Sequence, residues 1–423
     1  MRRQSTNRLE GDPIERTIAG STVSPYRWVV ISGFVFANLA MTMSSLSIGL
    51  LLPAITDSLD LSKLQGGWLG SSLGIGYILI TIPAAVFLVR CSPVRLIGLS
   101  IALATIFTFL QGLATSFALL LLSRLAFGVG ASLRAPARPM LAQQWHAARE
   151  IPIVNGVVIG LSGIGEAMAV AITPLILDVT DSWRTTLHIF GVFGLVTLAF
   201  WMFVGKERST PEFTARVREQ DRPPFRRMFR YPQLLIVGLG AASMTYSWFT
   251  FRTFWPTFML DTYDVSLSRS GLLLSVGSLA MVPAAFTQGY VASRFGRRRE
   301  LLIVSSLLMA GGAVGLLLTS NVAALVGFGL ITGFAWGFMT VIITLPFTLE
   351  DIDPREIGVG ISFIVTLFML GGIVGPIVSG AVSDVTGSLR MALMISAILP
   401  VGLLLAAPAV KERIRPWGRL ATE

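Results

Sequence analysis

The chain has 423 residues, 53% of them hydrophobic and 13% charged, with a formal net charge of +10. A soluble domain carries about 25% charged residues, so this composition excludes an ordinary soluble fold and points to one built in lipid. The lone Cys91 excludes an intramolecular disulfide framework and leaves no thiolate pair for a metal.

Taking about 20 apolar residues as one bilayer span predicts twelve helices. They fall at 28–54, 66–89, 95–115, 117–143, 151–177 and 186–204, then at 232–260, 269–292, 300–319, 322–348, 357–383 and 389–409. The expected fold is an all-α membrane protein with one six-helix bundle over 28–204 and a second over 232–409. Polar tails at 1–27 and 410–423 and a central polar loop at 205–231 complete the chain. The N-terminal tail is too long for a signal peptide's n-region and no cleavage site follows the first span, so that helix is expected to be retained.

The halves are duplicates. Asp178-Val-Thr-Asp-Ser-Trp-Arg184 recurs 206 residues later as Asp384-Val-Thr-Gly-Ser-Leu-Arg390, each copy closing one apolar helix and opening the next. Duplicated halves are how many secondary transporters build alternating access around a central site.

Charge orients the chain. Of 33 basic residues, 25 fall on the side that holds both termini, while the other side holds Lys63, Arg184, Arg269 and Arg390. The positive-inside rule then places both termini in the cytoplasm of a bacterial-type inner membrane, and the surplus is no evidence for nucleic acid. The remaining four, Arg124, Arg134, Arg138 and Arg252, lie inside predicted helices.

The loop after the eighth span reads Gly289-Tyr-Val-Ala-Ser293-Arg294-Phe-Gly296-Arg297-Arg298-Arg299. This resembles the major facilitator superfamily motif Gly-x-x-x-Asp-Arg-x-Gly-Arg-Arg, with Ser293 in the Asp place. Its first-half counterpart, Ala85-Val-Phe-Leu-Val89-Arg90-Cys-Ser92, keeps only the arginine. The fourth span carries Arg124-Leu-Ala-Phe-Gly128-Val-Gly130, similar to the family's Arg-x-x-Gln-Gly-x-Gly, and Trp183-Arg184 resembles the pair that opens its sixth helix. The resemblance covers nearly the whole chain. It implies two bundles rocking about a central cavity, with the first, fourth, seventh and tenth helices lining it. It also implies a gating role for Gly289, Ser293, Arg294, Gly296, Arg297, Arg298, Arg90, Arg124 and Arg138. Gly289 would let two helices approach closely, while Ser293 and Val89 cannot supply the usual anionic latch. The arginine cluster reads equally well as a topogenic signal.

An uncompensated cation at the bilayer centre costs at least about 2.5 kcal/mol, so the four interior arginines need a cavity or a partner. Arg124, Arg134 and Arg138 share one stripe of the fourth helix with Gly128, Ala131 and Ala135, at depths of roughly 8, 22 and 28 Å from its outer end. Arg124 reads as structural or gating within its bundle, Arg138 as close enough to the boundary to snorkel, and Arg134 as a cavity residue. Arg252 lies on the seventh helix among Tyr246, Trp248, Phe249 and Trp255, which form an interfacial belt or a stacking wall for an anion. Glu166, roughly 18 Å from the outer face, is the one clear interior carboxylate, either a counter-ion for an arginine or a proton-coupling group. Ser45 and Trp336 complete the expected substrate wall and serve equally as helix packing.

Guanidinium forks favour carboxylate-like oxygens, so the expected function is secondary active transport of a small organic or inorganic anion, with the proton as candidate coupling ion, by a monomer in the lipid bilayer. Arg134 and Arg252 are expected to clamp the anion from opposite sides. No cofactor or metal is expected, and no enzyme motif appears. A proton-driven drug exporter is the alternative, but the antiporters' fifth-helix Gly-Pro falls here on Ala169-Val170. A non-transporting receptor or scaffold would be expected to lose the interior charges and gain a soluble domain.

Overall fold

The computed structural model describes residues 25–86, 91–146, 150–208, 225–349, 352–353 and 356–410. Within them the chain forms α1 (Tyr26–Leu59), α2 (Lys63–Val86), α3 (Pro93–Gly112), α4 (Phe117–Trp145), α5 (Ile151–Thr180) and α6 (Trp183–Val204). The second half repeats the pattern with α7 (Pro232–Tyr263), α8 (Leu267–Phe295), α9 (Arg298–Leu318), α10 (Val322–Ile343), α11 (Ile357–Thr386) and α12 (Leu389–Ala409). Eleven of these are long and apolar enough to cross a membrane, and α2 takes the place of the remaining predicted span. The protein is thus a multi-pass, all-helical membrane protein. The tails, most of the central loop and Arg90 lie outside the described residues.

The duplicated segment is a stop-and-start signal. α5 ends at Asp181 and α11 at Gly387, both left-handed with φ of 51° and 67°. Asp tolerates that conformation and Gly adopts it freely, which ends a helix cleanly. The next residue but none intervening, Ser182 or Ser388, then caps the following helix by accepting the N–H of Thr185 or Met391. Ser92, Ser116 and Ser266 begin α3, α4 and α8 in the same way.

Among the described residues, three spans are interrupted. α4 breaks at Leu133 into Phe117–Ser132 and Arg134–Trp145, α10 at Trp336–Gly337, and α12 at Leu399–Pro400. Pro400 explains the last, because its ring removes a helical hydrogen bond.

Close backbone approaches join the two bundles near the face away from the basic cluster, here called the far face. A Cβ on Gly67 of α2 would lie 2.8 Å from the Pro376 carbonyl carbon of α11, and one on Gly49 of α1 would lie 3.0 Å from that of Arg252 on α7. Lys63 also stands 3.7 Å from Asp261 of α7. Among the described residues at the basic face, Arg27 binds both oxygens of Glu150 at 2.7 and 3.0 Å within the first bundle, and Tyr231 donates to Glu356 at 2.7 Å within the second. The Gly289 expectation is corrected. A Cβ there would meet Thr340 at 3.7 Å, an ordinary contact, whereas α8 is approached more closely at Gly271, 2.7 Å from the Val170 carbonyl of α5, and at Gly277, 3.2 Å from the Gly329 carbonyl of α10.

Candidate functional site

A cavity of about 480 Å³ runs through the N-terminal bundle toward the basic face. Its wall takes Asn38 and Ser45 from α1, Tyr77 from α2, Arg134 and Arg138 from α4 and Ser162 from α5. Arg134 opens the second segment of α4 and reaches across the bundle to α1. Its Nε donates to Asn38 Oδ1 at 3.2 Å, and one terminal nitrogen donates to the Ala131 carbonyl at 2.6 Å and contacts the Met41 sulfur at 2.8 Å. Asn38 in turn donates to Ser162 at 2.9 Å, fixing its amide so that oxygen faces the guanidinium. None of the residues described around this cavity is Asp or Glu. Its two arginines therefore present positive charge among hydroxyl and amide groups.

Arg124 sits deeper in the same bundle, 2% exposed, and its partners are all neutral oxygens. They are Ser72 Oγ at 3.2 Å, Gln111 Oε1 at 3.3 Å and the Ser44 and Ser45 carbonyls at 3.3 and 3.2 Å. One side chain thus ties α4 to α1, α2 and α3. That arrangement suits a structural role and leaves Arg124 outside the residues lining the cavity.

Arg252 is corrected as to its neighbours. The expected clamp would set it across one cavity from Arg134, yet the residues lining the Arg134 cavity do not include it. Its guanidinium instead pairs with Glu166 of α5 at 2.5 Å, bridging the bundles, and donates to Ser278 of α8 at 2.6 Å. It also lies 4.5 Å from the Trp248 ring, and Trp248 stacks on Trp336 at 4.6 Å. Arg252 thus lies against a stacked pair of indole rings, and Trp336 stands at the break in α10. Behind Arg252 is a small void of about 30 Å³ bordered by Ser247, Trp255 and Leu316. Tyr246 is corrected too, since it is 9% exposed and its hydroxyl meets Ser379 of α11 at 3.4 Å inside the C-terminal bundle. Ser45 lines the cavity while its hydroxyl donates to the Met41 carbonyl.

Around the basic-face motif, Gly296 closes α8 with a φ of 69°, which accounts for the glycine. Ser293 is exposed and donates to the Tyr290 carbonyl at 3.0 Å. Arg297 and Arg298 begin α9, and Arg294 lies in the last turn of α8. Sequence reasoning missed Asn38 and Ser162, which line the cavity, and Gln111 and Ser278, which bind Arg124 and Arg252; only their polar character within apolar spans could have drawn attention to them.

The family model of the major facilitator superfamily matches residues 33–376 and 237–419. The chain belongs to the major facilitator superfamily. Among known proteins it is 23% identical to the hexuronate transporter of Bacillus subtilis, over 88% of this chain and 90% of that one. It is 24% identical to a probable L-galactonate transporter of Escherichia coli, over 83% and 82%. A probable sulfoacetate transporter of Cupriavidus necator is 22% identical over 86% and 85%. Its fold matches a bacterial homologue of the human lysosomal transporter Spinster, in an inward-facing unoccupied structure, with a TM-score of 0.79 over 92% of this chain and 98% of that one at 18% identity. The nucleoside transporter NupG matches with a TM-score of 0.75, 15% identity and coverage of 92% and 100%. This superfamily member is accordingly a membrane transporter.

Proposed function

We propose that this transporter carries a small organic anion by alternating access, with Arg134 as its anchor in the N-terminal bundle. The observation that carries the reading is the 480 Å³ cavity that sets Arg134 and Arg138 among Asn38, Ser45, Tyr77 and Ser162. A carboxylate can take the second terminal nitrogen of Arg134, for which Asn38, Ala131 and Met41 do not compete, while hydroxyl groups of the substrate meet the amide and hydroxyl lining. Relatives named for hexuronate, L-galactonate and sulfoacetate, all organic anions, support the same class. The moving units are residues 28–204 and 232–409, and the protein works as a monomer in a bacterial-type inner membrane with both termini cytoplasmic.

Glu166 is the proton-linked group in this reading. Protonating it removes the counter-charge from Arg252, which then becomes available to the anion from the other bundle. The clamp of Arg134 and Arg252 thus forms only after the Glu166 pair parts, and it drives motion because the anion binds more tightly in the occluded state.

A thermal-shift screen of the purified protein tests the class directly. Stabilisation by sugar acids or sulfonates that is lost in Arg134→Gln supports the reading. Stabilisation by hydrophobic cations that ignores Arg134 replaces it with the drug-exporter alternative.

A further inference from the structure

The basic-face motif of this chain lacks its carboxylate, because position 293 is serine and position 89 is valine. At the far face two carboxylates meet the start of a helix in the other bundle, and both come from the duplicated segment. Asp384, in the last turn of α11, accepts the backbone N–H of Lys63 at 3.0 Å and that of Leu64 at 2.9 Å. Those amides open α2 in the other bundle. Asp178, the duplicate of Asp384 in the last turn of α5, accepts from the Ser268 hydroxyl in the first turn of α8. α2 and α8 are themselves duplicates, beginning after Ser62 and Ser266, 204 residues apart.

The α2 contact closes an account. The first N–H groups of a helix have no partner within it. Here Gln65 N–H goes to the Ser62 hydroxyl and Gly66 N–H to the Ser62 carbonyl, while Lys63 and Leu64 go to Asp384. Separating the bundles at the far face would strip two donors of their protein acceptor and move a carboxylate away from the positive end of a helix dipole. Separation would also release the Ser268 hydroxyl from Asp178.

We propose that Asp384 and Asp178 are paired latches holding the far face closed, so that this state is held by carboxylate and helix start while the basic-face motif has no carboxylate to hold the opposite one. The proposal rests on the rocking-bundle reading, but its test reads conformation alone, so failure of anion binding leaves it standing and failure of the latches leaves the anion reading standing.

The test uses the full chain in nanodiscs with Cys91→Ser and spin labels on Leu119→Cys and Val322→Cys. These positions begin α4 and α10 at the far face, are 42% and 57% exposed, and lie away from both latches. Asp384→Ala is expected to raise the ratio of long-distance to short-distance populations roughly fivefold, the scale of losing a helix-cap partner. Asp178→Ala is expected to raise it less, and the double variant more than either. Should Asp384→Ala fail to fold, Asp384→Asn, which keeps one acceptor oxygen and loses the charge, is expected to move the ratio in the same direction by less. Distance distributions unchanged by these substitutions would overturn the proposal.

Discussion

Arg252 of α7 and Glu166 of α5 face each other across the bundle interface, their charged atoms 2.5 Å apart and the arginine side chain only 9% exposed. Removing either partner leaves the other charge uncompensated, which costs about 3–5 kcal/mol for a well-buried pair and less for a carboxylate 22% exposed. Glu166→Gln and Arg252→Gln are each expected to lower the melting temperature, and the double variant to lose less than the sum. Additive losses in a thermal denaturation cycle would mean that the pair is not coupled. In uptake assays Glu166→Gln is expected to flatten the pH dependence; an unchanged profile would remove Glu166 from proton coupling.

Asn38 positions Arg134 through the 3.2 Å bond to its Nε. Asn38→Leu removes that acceptor and is expected to weaken anion binding about tenfold, near the 1.5 kcal/mol of a hydrogen bond to a charged group. Arg134→Lys should weaken it further, since an ammonium cannot form the fork. Isothermal titration with the anion found in the screen checks the order, and equal affinities in all three proteins would remove Arg134 from the site.

Gln111 is the one side-chain amide among the four oxygen partners of Arg124. Gln111→Leu is expected to cost about 1–3 kcal/mol, because a buried cation loses an acceptor that water cannot replace. A melting temperature equal to that of the parent would show that the guanidinium finds another oxygen.

Gly67 permits the far-face contact between α2 and α11. A valine there would drive its Cβ against the Pro376 backbone, which would sit only 2.8 Å away, so the bundles must part. Gly67→Val is expected to favour the far-face-open state and to abolish cycling while leaving expression intact. Solvent accessibility of a cysteine at that interface, measured by labelling rate, should rise several-fold; an unchanged rate would show that the helices absorb the bulk elsewhere.

His146, just beyond α4, is 3% exposed, and neither ring nitrogen has a hydrogen-bond partner among the described residues. Burial, with repulsion from Arg27, holds its imidazolium below the ordinary 6.5, and Glu150 at 3.6 Å opposes this only in part. The neutral ring is the stable form in the fold. Its contribution is therefore present above the ordinary value and is lost as pH falls through the lowered one. Melting temperature should fall on acidification below about pH 6.5, and less so in His146→Phe. Parallel curves would assign the acid sensitivity to other groups.

The twelve helices were legible because the bilayer demands long apolar runs, and hydropathy reads those directly. Their ends were less so. The first span was expected over 28–54, yet α1 continues to Leu59, since its last turn is polar and hydropathy reports only the lipid-facing length. Breaks at Leu133 and Trp336 carry a mark in sequence, Pro136 and Gly337, that hydropathy does not register. Arg124, Arg134, Arg252 and Glu166 stood out because charge in lipid is costly, but their partners did not. Helix register placed Glu166 at a depth between Arg124 and Arg134, and the residue it meets lies on the other bundle, a relationship set by packing between elements 86 residues apart in the chain. The oxygens around Arg124 were invisible for another reason: two are main-chain carbonyls, present at every position.

In the far-face contacts, the first half gives Asp178 to a helix of the second, and the second gives Asp384 to the corresponding helix of the first. Reciprocal exchange of one patch for its copy is the rule of a two-fold symmetric homodimer. Neither carboxylate could be satisfied this way inside a lone six-helix unit, and two identical units would satisfy both. The covalent chain therefore keeps the interface grammar of a dimer whose subunits have been joined end to end.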